Sequence, residues 1–270
     1  MPTIHALRGT LILFALLPAA GCNAETYSLA VRVSNGKAAY ARTFKLSEGR
    51  QFGYTGPAKA LNGGAGMQMI FNGILAPGRD KTGMLRLQYQ VELAGGRGSQ
   101  GRSIQGQSEV AIRPGDRLTA IACGPWTVEI GLAGKKAAGE NPDETVPSRT
   151  ALQNYRLTAD ISAGNSRQQC GFIALAGVQS SVSDSIMEAG RKYGLIFAGL
   201  FAPSGGDRGF SLQYQTDYGV KEPAQSFQMQ DTKPLALDKK TAVTGEDCGI
   251  ELLLENAAPA KRAAPREPAE

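Results

Sequence analysis

Proton transfer near neutral pH falls most often to histidine, and this 270-residue chain has a single one, His5. It lies inside an apolar leader. The body beyond residue 22 therefore has no imidazole to activate a serine or cysteine, or to hold zinc. Carboxylates are the next candidates. Glycosidase chemistry needs two of them facing each other across a cleft, and Glu129 and Glu251 stand at matching points of two similar segments. Equal places in two copies need not converge, and outward-facing strand positions account for both. Ser180-Ser-Val-Ser-Asp-Ser185 reads as a polar turn. Gly96-Arg-Gly98-Ser-Gln-Gly101 has G-x-G-x-x-G spacing, which cradles phosphate only where a strand feeds a helix N-terminus. Here a Gln-rich strand segment follows, Ile104 to Ile112, so a hairpin loop is expected instead. That leaves Arg97, Arg102 and the lone tryptophan, Trp126, as candidate contacts for a ligand or partner; beside its hairpin turn Trp126 could be a stacking platform, though such a residue more often caps the core. No metal set and no cofactor motif is present in the sequence, and the expectation is a protein that is not an enzyme.

The leader reads MPTIHALRGTLILFALLPAAGC, with Arg8 ahead of an unbroken apolar run from Leu11 to Leu17. Such a run is too short for a bilayer core, which takes about 20 residues, and has the proportions of a signal-peptide h-region. Its A-A-G-C ending resembles the lipobox of bacterial lipoproteins, with Ala19 where that class prefers leucine. The resemblance covers residues 1–22 and implies that Cys22 is acylated and becomes the N-terminus. Asn23 is not the aspartate that typically retains such proteins in the inner membrane. The resemblance therefore implies lipid anchoring at the bacterial outer membrane, with the body in the periplasm. Ordinary cleavage to a soluble periplasmic protein is the alternative. No family resemblance extends to the body.

The rest of the chain repeats itself. Met69-Ile-Phe-Asn-Gly-Ile-Leu-Ala-Pro77 aligns with Leu195-Ile-Phe-Ala-Gly-Leu-Phe-Ala-Pro203, and both are followed by Leu-Gln-Tyr-Gln, at 87–90 and 212–215. Weaker matches in the same order flank this pair, such as Tyr27-Ser-Leu29 with Tyr155-Arg-Leu157 and Val128-Glu-Ile130 with Ile250-Glu-Leu252. A duplication is the natural explanation. Hydrophobic alternation has a period of two, as in Tyr27 to Val33 and in Leu85, Leu87, Tyr89 and Val91, so the elements are strands. Asn35-Gly36 marks a hairpin turn. Ser185-Ile-Met-Glu188 has capping-box spacing and suggests one short helix. About seven strands per copy are expected. The expected fold is all-β: two tandem antiparallel β-sandwich-like (Ig-like) domains, at 25–133 and 153–256, with a small barrel as the alternative. A Gly-, Pro- and charge-rich linker joins them at 134–152, and a disordered tail follows at 257–270.

Three cysteines remain beyond Cys22, and an oxidising compartment permits a disulfide. Cys170 aligns with Arg42 of the first copy, while Cys123 and Cys248 both lie near the closing hairpin. The expectation is a Cys170–Cys248 bond within the second copy, with Cys123 as a free thiol.

Lysine and arginine number 29 against 24 acids, and Arg8 is the only charge before Cys22, so the body is left with +4. The basic residues are scattered among acids, which argues against nucleic acid as a partner. The expected function is that of a membrane-anchored, non-enzymatic binding or scaffolding component of the cell envelope. Its expected partners are the membrane, through the N-terminal lipid, and an envelope protein that could be recruited by strand addition at a sheet edge. A glycan or small-molecule binding module is the alternative, and a carboxylate-dependent hydrolase is less favoured.

Overall fold

The computed structural model describes residues 25–36, 38–61, 67–77, 83–97, 100–134, 152–188, 191–204, 209–220, 225–244 and 248–257. The leader with Cys22 lies outside them, as do most of the expected linker and the expected tail apart from Ala257. Among the described residues the secondary structure is strand throughout, sixteen strands in all. The first copy contributes β1 (Thr26–Ser34), β2 (Ala39–Ser47), β3 (Gln51–Ala60), β4 (Met67–Pro77), β5 (Leu85–Arg97), β6 (Gln100–Ile112), β7 (Arg117–Cys123) and β8 (Trp126–Ala133). The second contributes β9 (Asn154–Ala163), β10 (Ser166–Leu175), β11 (Ser180–Glu188), β12 (Arg191–Pro203), β13 (Gly209–Val220), β14 (Gln225–Ala236), β15 (Lys240–Thr244) and β16 (Cys248–Asn256).

These strands form two antiparallel sheets of eight. One runs β2-β1-β8-β7-β10-β9-β16-β15 and the other β3-β4-β5-β6-β11-β12-β13-β14. A short pairing of Tyr40 with Ala60 and Ala41 with Lys59 joins them at one edge. Each copy puts its first two and last two strands in the first sheet and its middle four in the second. The duplication is thus visible in the topology as well as in the sequence. The copies do not stand apart as two bodies, however. β7 pairs with β10 in the first sheet and β6 with β11 in the second, so both sheets run on across the boundary.

One apolar interior lies between the sheets. Leu29, Val31 and Val33 of β1, Leu87, Tyr89 and Val91 of β5, and Leu157, Ala159 and Ile161 of β9 all point into it and are buried. A stacked aromatic pair crosses the interior in each copy: Phe44 on Phe71 at 5.2 Å, and Phe172 on Phe197 at 5.8 Å. The glycine shared by the two repeated motifs also faces inward. A Cβ on Gly73 would run into the Gln88 carbonyl and the Phe52 ring, and one on Gly199 would come within 3.0 Å of Leu157. Only glycine fits at 73, where the obstacle is backbone, while at 199 a larger residue would press on the ends of Leu157 and Leu212.

Two local expectations are corrected. The segment from Ser185 is no helix: Ser180–Glu188 and Arg191–Pro203 form the β11–β12 hairpin. Gly194, at φ +128°, lets β12 approach the backbone of Asp184 too closely for any side chain. Central pairing on both sides of β11 outweighs the local capping signal. The serine run of the same segment is likewise strand and not turn. Each copy has eight strands, one more than the pattern suggested.

Candidate functional site

The line where the copies meet holds most of the buried polar side chains among the described residues. Asn154, at the start of β9, reaches across to the second sheet and makes two hydrogen bonds to Ala111. Its amide donates to the carbonyl at 2.7 Å, and its oxygen accepts from the N–H at 2.8 Å. Ser108 of β6 donates to the Ile173 carbonyl at 2.6 Å and lies 2.9 Å from the Ser180 hydroxyl. All three side chains are buried, where an unsatisfied polar group would be costly.

At the opposite end of the same line Arg102 of β6 forms a two-pronged pair with Asp184 of β11, Nε to Oδ1 at 3.2 Å and Nη2 to Oδ2 at 2.8 Å. Its guanidinium also lies 5.6 Å from the centre of the Trp126 ring. Asp184 is only 4% exposed, and Gln168 of β10 donates to it at 3.4 Å. Trp126 is 1% exposed. The tryptophan is therefore a wall of the core and not an open stacking platform, and the charge of Arg102 is already matched inside the chain. Trp126 thus takes the core-capping place that a tryptophan beside a hairpin turn most often has, while Arg102, its side chain 38% exposed, is held by Asp184. Arg97 ends β5 opposite Gln100, and its side chain lies outside the described residues.

The cysteines resolve differently from the expectation. Cys123 on β7 and Cys170 on β10 are direct register partners and form a disulfide, 47 residues apart in sequence. Cys248 is the free, half-buried thiol. The expected Cys170–Cys248 bond presumed that each copy closes on itself. The bond instead staples one copy to the other. Cys248 sits opposite Ala163 at the start of β16, two strands away from Cys170. Glu129 and Glu251 do occupy equivalent strands, β8 and β16. These strands are four spacings apart, about 19 Å, and Glu251 pairs with Lys240. They cannot share one substrate bond.

The two outer faces differ in kind. The face of the first sheet carries charge, including the ion pairs Arg167–Asp160 and Lys240–Glu251. The face of the second is dominated by uncharged amides. Following the register from strand to strand, Asn72, Gln90, Gln107, Ser181, Ala198, Gln215 and Gln230 form one unbroken row. That row spans seven strands, about 29 Å, and carries no charge. Gln88 and Gln213 flank it on one side, Gln105 and Gln228 on the other. The repeated Leu-Gln-Tyr-Gln motif makes this pattern: its leucine and tyrosine point inward while its two glutamines point out. A groove of about 630 Å³ lies on this face over β12 to β14, between Gln213, Gln215 and Gln230. A smaller hollow of about 160 Å³ lies over β5 to β12, lined by Gln90, Gln105, Gln107 and Ser181. Among the described residues no cluster of His, Cys, Asp and Glu is arranged to hold a metal ion.

Comparison with protein-family models, curated proteins and solved structures finds no match. The amide face therefore stands as the candidate functional surface on its own geometry. Its glutamines were legible in the sequence, but their alignment into one row across both copies depends on the β6–β11 pairing, for which the sequence carries no signal.

Proposed function

We propose that this chain is a lipid-anchored, non-enzymatic binding component of the bacterial envelope, held by acylated Cys22 at the outer membrane with its body in the periplasm. The observation that carries the binding role is the uncharged amide row, continued in register across the junction of the copies. An amide both donates and accepts hydrogen bonds and brings no charge to desolvate. A broad field of them suits a partner held by many neutral hydrogen bonds.

The sheet edges support recognition by this face in preference to strand addition. β14 lies at one end of the second sheet and carries Pro234 with the inward-facing pair Asp231 and Lys233, 2.8 Å apart. β3 lies at the other end and carries Pro57. β15, at the end of the first sheet, has only five residues. Proline, short length and inward charge are the devices by which sheets refuse further strands.

The anchor is tested by labelled-palmitate incorporation and membrane fractionation of the natural chain beside Cys22→Ser. Label in the first and loss of membrane attachment in the second are expected, and an unlabelled soluble natural form sinks the anchor. The face is tested by placing a photo-crosslinking residue at Gln107 or, on the opposite face, at Thr119 in intact cells. Crosslinks confined to position 107 are expected. Equal products from both positions would overturn the assignment of the face.

A further inference from the structure

The amide face has a shape and chemistry more specific than a general binding surface. Resting on the reading that this face is where the molecule binds, we infer that its ligand is a linear, uncharged glycan lying across the strands along the row from Gln90 to Gln230. Four observations converge on that ligand class.

The first is the direction of the row. Its members are register partners on successive strands, so they recur every ~4.8 Å at right angles to the chain. That step is close to the length of one sugar ring in an extended polysaccharide. An extended peptide bound by its backbone would instead seek an open strand edge, and the edges are blunted.

The second is relief. The middle of the row holds Ser181 and Ala198, the two smallest side chains in it, between Gln107 and Gln215. The two hollows lie on opposite flanks of the row, the smaller beside Gln105 and Ser183 and the larger beside Leu200 and Gln213, and both border β12. The smaller spans the β6–β11 junction, and the two together trace a trough that crosses the strands obliquely over the row.

The third is the apolar lining. Ile196 and Leu200 stand two residues to either side of Ala198 on β12, and among the described residues Ile196 is one of three large apolar side chains left exposed, at 38%. A sugar ring has hydroxyls on its rim and C–H groups on its faces. Glutamine amides bracketing small patches of aliphatic carbon match both.

The fourth is charge. The row has none, and Arg86 on the same face is paired to Glu109. An acidic polysaccharide would find no free cation in the trough, whereas the hydroxyls of a neutral one meet donors and acceptors in equal supply.

The test uses the full-length protein in detergent micelles, titrated calorimetrically with cellohexaose, chitohexaose and maltohexaose, and with a neutral Ser/Asn-rich decapeptide. Saturable binding of at least one hexasaccharide, but not of its disaccharide, is expected, since the trough is long. Gln107→Ala with Gln215→Ala is expected to weaken that binding at least tenfold, and Ala198→Glu to abolish it. Arg167→Ala on the opposite face should leave it unchanged. Circular dichroism and the unfolding midpoint confirm that each variant folds. Should Ala198→Glu unfold the chain, Ala198→Gln fills the same floor without a buried charge and carries the test.

Absence of binding to all three hexasaccharides overturns the glycan assignment. So does binding that the trough variants do not reduce, or binding of the decapeptide in place of the sugars. If crosslinks from position 107 persist while glycan binding is absent, the face still binds and only the ligand class is wrong. If both are absent, the binding role of the face fails with it.

Discussion

The residues that join the two copies are those whose replacement should be felt most. Removing the Cys123–Cys170 bond frees a closed loop of 47 residues, worth roughly 4 kcal/mol of unfolded-chain entropy. Cys123→Ser with Cys170→Ser should lower the urea midpoint accordingly, and the natural chain under dithiothreitol should fall to the same value. Alkylation under non-reducing conditions should label Cys248 but neither of the others. Asn154→Ala strips two hydrogen bonds from the buried backbone of Ala111 and should cost about 2–4 kcal/mol. Urea unfolding measures it, and Asn154→Asp, which keeps one acceptor, should fall between.

Tyrosines give the molecule its pH dependence. Burial raises Tyr89 and Tyr214, the two tyrosines of the repeated motif, above the ordinary value of 10.0. Their folded forms hold the phenolic proton more tightly than the unfolded chain does. The stability this contributes is complete below pH 10 and is lost as pH rises past the unfolded value toward the folded one. The melting temperature should fall steadily above pH 10. Absorbance at the tyrosinate band should show these rings ionising together with unfolding, and a smooth titration in the native state would contradict their burial.

Strands that occupy equivalent places in the two copies carry different residues according to what lies beside them. β6 is internal and β14 is an edge, yet both pair with the preceding strand of their copy in the same way. Matching the registers sets Ser108 against Asp231, Val110 against Lys233 and Ala111 against Pro234. On the other side of the junction Ser185 of β11 matches Pro57 of β3, and Cys170 of β10 matches Arg42 of β2. Arg42, at 4.8 Å from the Tyr54 ring, points inward at the outer edge. Each junction residue thus has an edge counterpart that discourages pairing. Restoring the junction residues at both ends, with Asp231→Ser, Lys233→Val, Pro234→Ala and Pro57→Ser together, should let molecules join head to tail. Light scattering after size exclusion should then show dimers and longer species growing with concentration. An unchanged mass would mean that other features close the ends.

For the whole molecule the consequence of shared sheets is cooperativity. Two domains tethered by a linker would unfold separately. Here the β6–β11 and β7–β10 pairings, one interior and the disulfide tie the halves together. Calorimetry on the oxidised chain should give one transition whose calorimetric and van't Hoff enthalpies agree. Two resolved peaks would show that the halves retain independence. Shared sheets also keep the amide row in register across the junction, which two domains joined only by a linker could not do.

The sequence already specified the strands and the duplication, because these follow from local rules. Alternation of side chains fixes a strand face, turn residues fix hairpins, and two copies of one pattern fold alike. Leu-Gln-Tyr-Gln put two glutamines outside in each copy whatever lay next to it. The partner of Cys170, the fate of Trp126 and Arg102, and the failure of the Ser185 helix depended on which strands of one copy lie beside those of the other. That choice rests on edge-to-edge pairing between residues far apart in the chain, and a one-dimensional pattern carries no marker for it. The nearest trace was the mismatch of Cys170 with Arg42: a residue that differs between copies at a matched position marks where their surroundings differ. The amide row has the same origin, since local alternation placed its members outward and the three-dimensional junction brought them into line.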